Sequence, residues 1–199
     1  MTSCKKIVHQ HFNQIVDAAN ACQLCASHLP HSPNPVFSAG YQSKLVIIGQ
    51  APGSKAHATT KPWNDASGER LRDWMGIDSD TFYDTSILSL IPMGFCYPGK
   101  GKSGDLPPRS ECAPKWHHPL LNAIQPTCIL LIGQYAQAYY LQDKRLLTER
   151  VQQFRQYLPR YFVLPHPSPR NNIWLKRHPW FERDVLPALK ETVRMAVTS

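Results

Sequence analysis

Two polar turns and a set of cysteines hold the groups in this sequence best suited to chemistry. The first turn is Gly49-Gln50-Ala51-Pro52-Gly53. Its glycines let a backbone approach a ligand closely, and the Gln50 amide offers both a donor and an acceptor. The second turn is Pro165-His166-Pro167-Ser168-Pro169-Arg170-Asn171. Its prolines hold the loop rigid, and His166 is the strongest single candidate for an active group. Cys22 and Cys25 form a C-x-x-C turn, which presents two thiolates to one metal centre. Zinc or a redox pair fits the same spacing. Cys96 and Cys112 flank a glycine-rich loop carrying Lys100, Lys102 and Arg109, a composition suited to phosphate or to a solvated surface. Cys128 falls in an apolar run and is most simply a core thiol.

The elements that position these groups follow from the apolar pattern. Residues 45–48 are a short branched run that breaks at once into the first turn, as a strand buried on both faces does. Further strands are expected at 82–90, with Ser86 near its end, at 127–132, and at 160–164, which runs directly into the second turn. Helical spacing appears at 5–20, 109–124, 134–142 and 178–196, and weakly at 143–158. Residues 54–65 are expected to be a loop over the strand ends, carrying Lys55 and Trp63. Trp63 suits stacking on a flat ring, or folding into the core. Asp65 or Ser67 would cap a helix that buries Leu71, Trp74 and Met75. Strands alternating with helices predict an α/β fold: a three-layer α/β/α sandwich around a central four-stranded parallel sheet, with 1–199 as one domain. Ligands of such sheets sit past the carboxyl ends of the strands, where both turns are expected to meet.

Bulk properties narrow the partner. The 199 residues are 42% apolar, enough for a real core. Net charge is +8, with a pI of about 9.3, which favours an anionic partner such as nucleic acid. No apolar run approaches the roughly 20 residues that span a bilayer, and the start lacks the apolar stretch of a signal peptide. A cytoplasmic location is therefore expected. There, six cysteines point to metal or cluster ligation rather than to disulfides.

GQAPG after a buried strand, with HPSPRN after the last strand, resembles the uracil-DNA glycosylase superfamily. The paired cysteines flanking the first two strands are similar to its iron–sulfur-containing family 4 branch. The resemblance implies a monomeric DNA repair enzyme that flips a deaminated base out of single- or double-stranded DNA and cleaves its N-glycosidic bond. It implies that Cys22, Cys25, Cys96 and Cys112 hold a [4Fe-4S] cluster; four thiolates also suit structural zinc. His166 would donate to the base carbonyl, and Gln50 and Asp65 would complete the catalytic set. Gly49, Gln50, Ala51, Trp63 and Ser86 would bind the base, Ser86 in the place of an Asn that reads its edge. Pro52, Gly53, Lys55, Ser168, Pro169, Arg170 and Asn171 would meet the DNA. Two departures stand out: the branch usually has Glu at the Gln50 position, and the best-known branch has Asp at Ala51. A glycosylase-like chain that binds DNA without cutting it is the alternative expectation.

Overall fold

Short apolar runs become strands here because helices cover both of their faces. The computed structural model describes residues 2–198, with side chains from residue 7. In order, the chain forms α1 (Thr2–Asn20), β1 (Leu45–Ile48), α2 (Ser54–Thr59), α3 (Ala66–Met75), α4 (Ser79–Tyr83) and β2 (Leu88–Leu90). A small hairpin follows, β3 (Lys100–Gly101) and β4 (Gly104–Asp105). The second half is α5 (Cys112–Ile124), β5 (Cys128–Ile132), α6 (Gly133–Leu141), α7 (Leu147–Gln152), β6 (Tyr161–Leu164), α8 (Asn172–Arg177) and α9 (Leu186–Thr198).

The main sheet has the order β2-β1-β5-β6, and every pairing is parallel. All its residues are buried except Tyr161, which is half-buried. Each fully buried Val, Leu or Ile contributes about 1.5–3 kcal/mol relative to exposure. α1 packs on α5, and α3 on α9, giving the helical layers around the sheet. The chain leaves β1 to one side for β2 and then crosses back to β5, so β1 and β5 mark the point where the winding reverses. Ligands of open α/β sheets bind at such a point.

Three stretches depart from the sequence pattern. Within 82–90 only Leu88–Leu90 is strand, and Phe82 belongs to a helix. The Asp78 carboxylate accepts from the Thr81 amide at 2.8 Å and starts that helix; Asp84 then accepts from the Ser86 amide and hydroxyl and closes a turn. Residues 54–59 form α2 instead of open loop, ending where Thr60 turns left-handed at φ 49°. The stretch expected as one helix over 178–196 starts instead with a π-turn at Phe181–Val185, so that α9 begins only at Leu186, and a separate helix, α8, precedes it. Among the described residues no helix is long and apolar enough to cross a membrane.

Candidate functional site

All four main strands deliver their carboxyl ends to one place. β1 runs into the Gly49–Gly53 turn, β2 into Ile91 and Pro92, β5 into Gly133, and β6 into Pro165 and His166. Backbone bonds zip the first two loops together: Met93 N–H donates to Gly49 O at 2.9 Å, and Gly94 N–H to Gln50 O at 3.0 Å. A cavity of about 60 Å³ lies over these tips, lined among others by Gly49, Gln50, Trp63, Asp65, Pro92 and His166. A wider cavity of about 430 Å³ shares Gln50, Asp65 and His166 and reaches out to Ser103, Asp105 and Arg170.

The second turn fixes the state of His166. Its Nδ1 accepts from the Ser168 amide at 3.2 Å, so the neutral ring carries its proton on Nε2. Asn171 Nδ2 donates to the His166 carbonyl at 2.7 Å and closes the loop. Burial pushes the His166 imidazolium below its ordinary pKa, with the Asp65 charge opposing it. The ring at neutral pH is thus an uncharged Nε2–H donor.

Trp63 is held in an unusual pose. Its φ is +56°, left-handed backbone that a bulky residue rarely adopts. The Tyr83 hydroxyl donates to the carbonyls of Pro62 (3.0 Å) and Trp63 (3.3 Å). Two glycines make room: a Cβ at Gly68 would lie 1.8 Å from Trp63 O, and one at Gly49 would lie 2.7 Å from Trp63 Cζ2. The indole stacks on the His166 ring at 5.6 Å and 25°. A third ring between them requires about 7 Å, so a flat ligand enters beside the pair. Asp65 caps α3, its Oδ1 accepting from Gly68 N–H at 2.9 Å, and faces both cavities.

Gly49, Gln50, Ala51, Pro52, Gly53, Trp63, Asp65 and His166 therefore meet around the inner cavity, and Ser168, Arg170 and Asn171 line the outer one. Pro169 opens the short turn Pro169–Asn171 between them. Arg170 Nη1 donates to Ser103 O at 2.8 Å, tying this turn to the hairpin. Lys55 is exposed on α2, outside both linings.

Ser86 is not part of this site. Leu45 pairs with Leu88, so Ser86 precedes β2 at the amino end of the sheet and lines a groove there with Ser43, Lys44 and Asn122. Pro92 stands at the β2 tip instead and gives that wall no N–H. The sequence pattern also left Pro92's support unseen. Buried His117 of α5 donates through Nε2 to Pro92 O at 3.0 Å, and its Nδ1 accepts from the Tyr140 hydroxyl at 2.6 Å. Burial drives the His117 pKa down to about 4 and raises that of Tyr140, so both stay neutral. Pro92 and His117 stand 25 positions apart, and no local pattern signals the contact.

Cys22, Cys25, Cys96 and Cys112 line a separate small apolar cavity with Leu29, Phe95 and Trp116. Burial raises the pKa of Cys25, Cys96 and Cys112, the last to about 12, and nearby thiols add to each shift. The Phe95 amide donates to Cys112 Sγ at 3.3 Å. Among the described residues no three His, Cys, Asp or Glu side chains close around a single ion-sized point. Cys128 is a buried core thiol in β5.

A family model of the uracil DNA glycosylase superfamily matches residues 36–190. The match takes in the whole sheet, both polar turns, Cys96 and Cys112, while Cys22 and Cys25 precede it. With the strand-tip cavity and its imidazole in view, that match over most of the sequence has one meaning: the chain belongs to the uracil DNA glycosylase superfamily.

Proposed function

We propose that this chain is a DNA glycosylase that excises uracil or a related deaminated base. The observation that carries this is the His166 Nε2–H, fixed by the Ser168 amide and set in a small cavity beside the Trp63 indole. A glycosidic carbon is unreachable inside a stacked duplex, so the nucleotide must be extruded. Trp63 then offers a face for the base to stack on. As the C1′–N bond breaks, its electron pair leaves on the base. A neutral donor aimed at the base carbonyl stabilises that anion without itself losing a proton. Water adds to C1′, and Asp65 is the carboxylate on the cavity suited to orient it and take its proton. Gln50 is the amide on the cavity with a donor and an acceptor for a base edge. Pro92 supplies no such pair, which favours a broader choice of deaminated base over uracil alone.

The four-cysteine cavity fits a [4Fe-4S] cluster. Its donors are soft thiols in an apolar shell, with the Phe95 amide already directed at one sulfur. A single zinc needs its thiolates gathered around one point, and among the described residues no three ligands are so gathered. A bound cluster would cross-link the start of α5 to the loops around Cys22 and Cys96; the residues around it hold those loops and exclude water.

The second reading, a DNA-binding module without cleavage, draws on Gln50 and Ala51 standing where related motifs carry carboxylates. Oligonucleotides with one uracil, hypoxanthine or xanthine, single- and double-stranded, separate the two. The enzyme reading expects an alkali-labile abasic site from at least one substrate and a loss of about 10²–10³-fold in His166→Ala. Salt-sensitive binding with no base released from any substrate would favour the second reading.

A further inference from the structure

Resting on the glycosylase reading above, we propose that Asp105 is a catalytic carboxylate of this site, carried over its mouth by the β3–β4 hairpin. The reaction builds positive charge on the sugar, and an anion at that charge lowers the barrier. The first turn offers none, since Gln50 and Ala51 are both uncharged. Asp65 supplies one carboxylate to both cavities, but its Oδ1 already accepts from Gly68 N–H at 2.9 Å.

The hairpin supplies another to the outer cavity. Lys100 pairs with Asp105 and Gly101 with Gly104, and Leu106 N–H donates to Gly99 O at 2.8 Å. Two further contacts hold this small hairpin to both polar turns. Gln50 Nε2 reaches Leu106 O at 3.4 Å, and Arg170 Nη1 donates to Ser103 O at 2.8 Å. Gly104 has φ +138°, and a Cβ there would lie 2.3 Å from Arg170 Nη1, so the guanidinium lies flush against the hairpin tip only because that residue is glycine. Fixed in this way, Asp105 Oδ2 lies 3.5 Å from where a Cβ on Gly53 would be, and Oδ1 lies 3.5 Å from the Tyr97 hydroxyl. The carboxylate therefore sits against the very turn that lacks one, on the outer cavity shared with Asp65 and His166.

Its surroundings argue against a plain binding role. Asp105 is exposed beside Lys100 and Lys102, on a chain of net charge +8. An anion there weakens attraction to phosphates. Beyond the long contact to the Tyr97 hydroxyl, its negative charge serves a cation that develops nearby rather than a bound phosphate. The C1′–N pair leaves on the base, toward the His166 Nε2–H. C1′ becomes cationic beneath the Asp105 carboxylate. Water oxygen bonds to C1′, and its proton passes to Asp65.

The test is Asp105→Asn in the full chain, compared with wild type on a base substrate that wild type cleaves. Single-turnover rate, DNA affinity and Tm are measured together. The expected result is a rate about 10–100-fold lower, DNA binding equal or up to about threefold tighter, and an unchanged Tm. A rate within twofold of wild type would overturn the assignment. So would a slower rate accompanied by weaker DNA binding and a lower Tm, the pattern of a merely structural residue. A wild-type chain that releases no base from any substrate would sink the glycosylase reading itself, whereas an active wild type with an equally active Asp105→Asn variant removes only this assignment.

Discussion

The His166 cavity and the cysteine cavity are built by opposite means. The first is polar and open: a neutral imidazole held by a backbone amide, an indole carried on left-handed backbone, and a mouth framed by a hairpin. The second is small and apolar, and its burial pushes Cys112 up to about 12. A site that turns over needs fixed donors and a way in. A site that keeps its occupant needs soft ligands and a closed shell. α5 joins the two, since it begins at Cys112 and carries His117, which grips the Pro92 wall of the other cavity. On this view the cysteine site is a brace and the His166 site is the working part.

Breaking the brace should have the largest effect. Cys112→Ser should lower bound iron and drop Tm by about 10 °C, from several kcal/mol of ligation energy at about 2–4 °C per kcal/mol. Metal analysis and calorimetry check this, and a full iron complement at wild-type Tm would break the distinction. Gly49→Ala acts on the working part alone. The new Cβ would meet Trp63 Cζ2 at 2.7 Å, so the indole must shift and turnover should fall about tenfold, by loss of positioning, while iron content stays the same. A change in tryptophan fluorescence should accompany it.

Acid should weaken the element that links the two sites. His117 binds its proton at about pH 4 when folded and near 6.5 when unfolded, so the unfolded state takes up more protons between those values. Stability should then be fully present above pH 6.5 and fall by about 2–4 kcal/mol as pH drops toward 4, readable by urea unfolding at each pH. Base release, relying on a neutral His166 whose pKa burial lowers, should persist below pH 6.5 before failing. The smallest effect belongs to the far end of the sheet. Ser86→Ala should leave base release within about twofold of wild type, as most surface changes away from a site do; a larger loss would mean the amino end of β2 takes part.

Much of this arrangement is legible in the sequence. β1, β5 and β6 are runs of apolar residues without alternation, which only a sheet covered on both faces accommodates. Each polar turn follows its strand directly, so their meeting follows from the sheet alone. β2 is less legible because Phe82 and Tyr83 suit a strand by type while Asp78 starts a helix there. That shift of boundary carries Ser86 to the wrong end of the sheet. The left-handed Trp63, the His117 grip on Pro92 and the seating of Arg170 on Gly104 arise from contacts between distant segments. No local pattern encodes them.

The most direct test is mass analysis of a uracil-containing strand incubated with wild type and with His166→Ala, repeated with hypoxanthine and xanthine. An intact backbone lacking one base, plus the free base, should appear with wild type at least about 100-fold faster than with the variant. Equal rates in the two proteins, or no free base from any of the three strands, would contradict a working site at the strand tips.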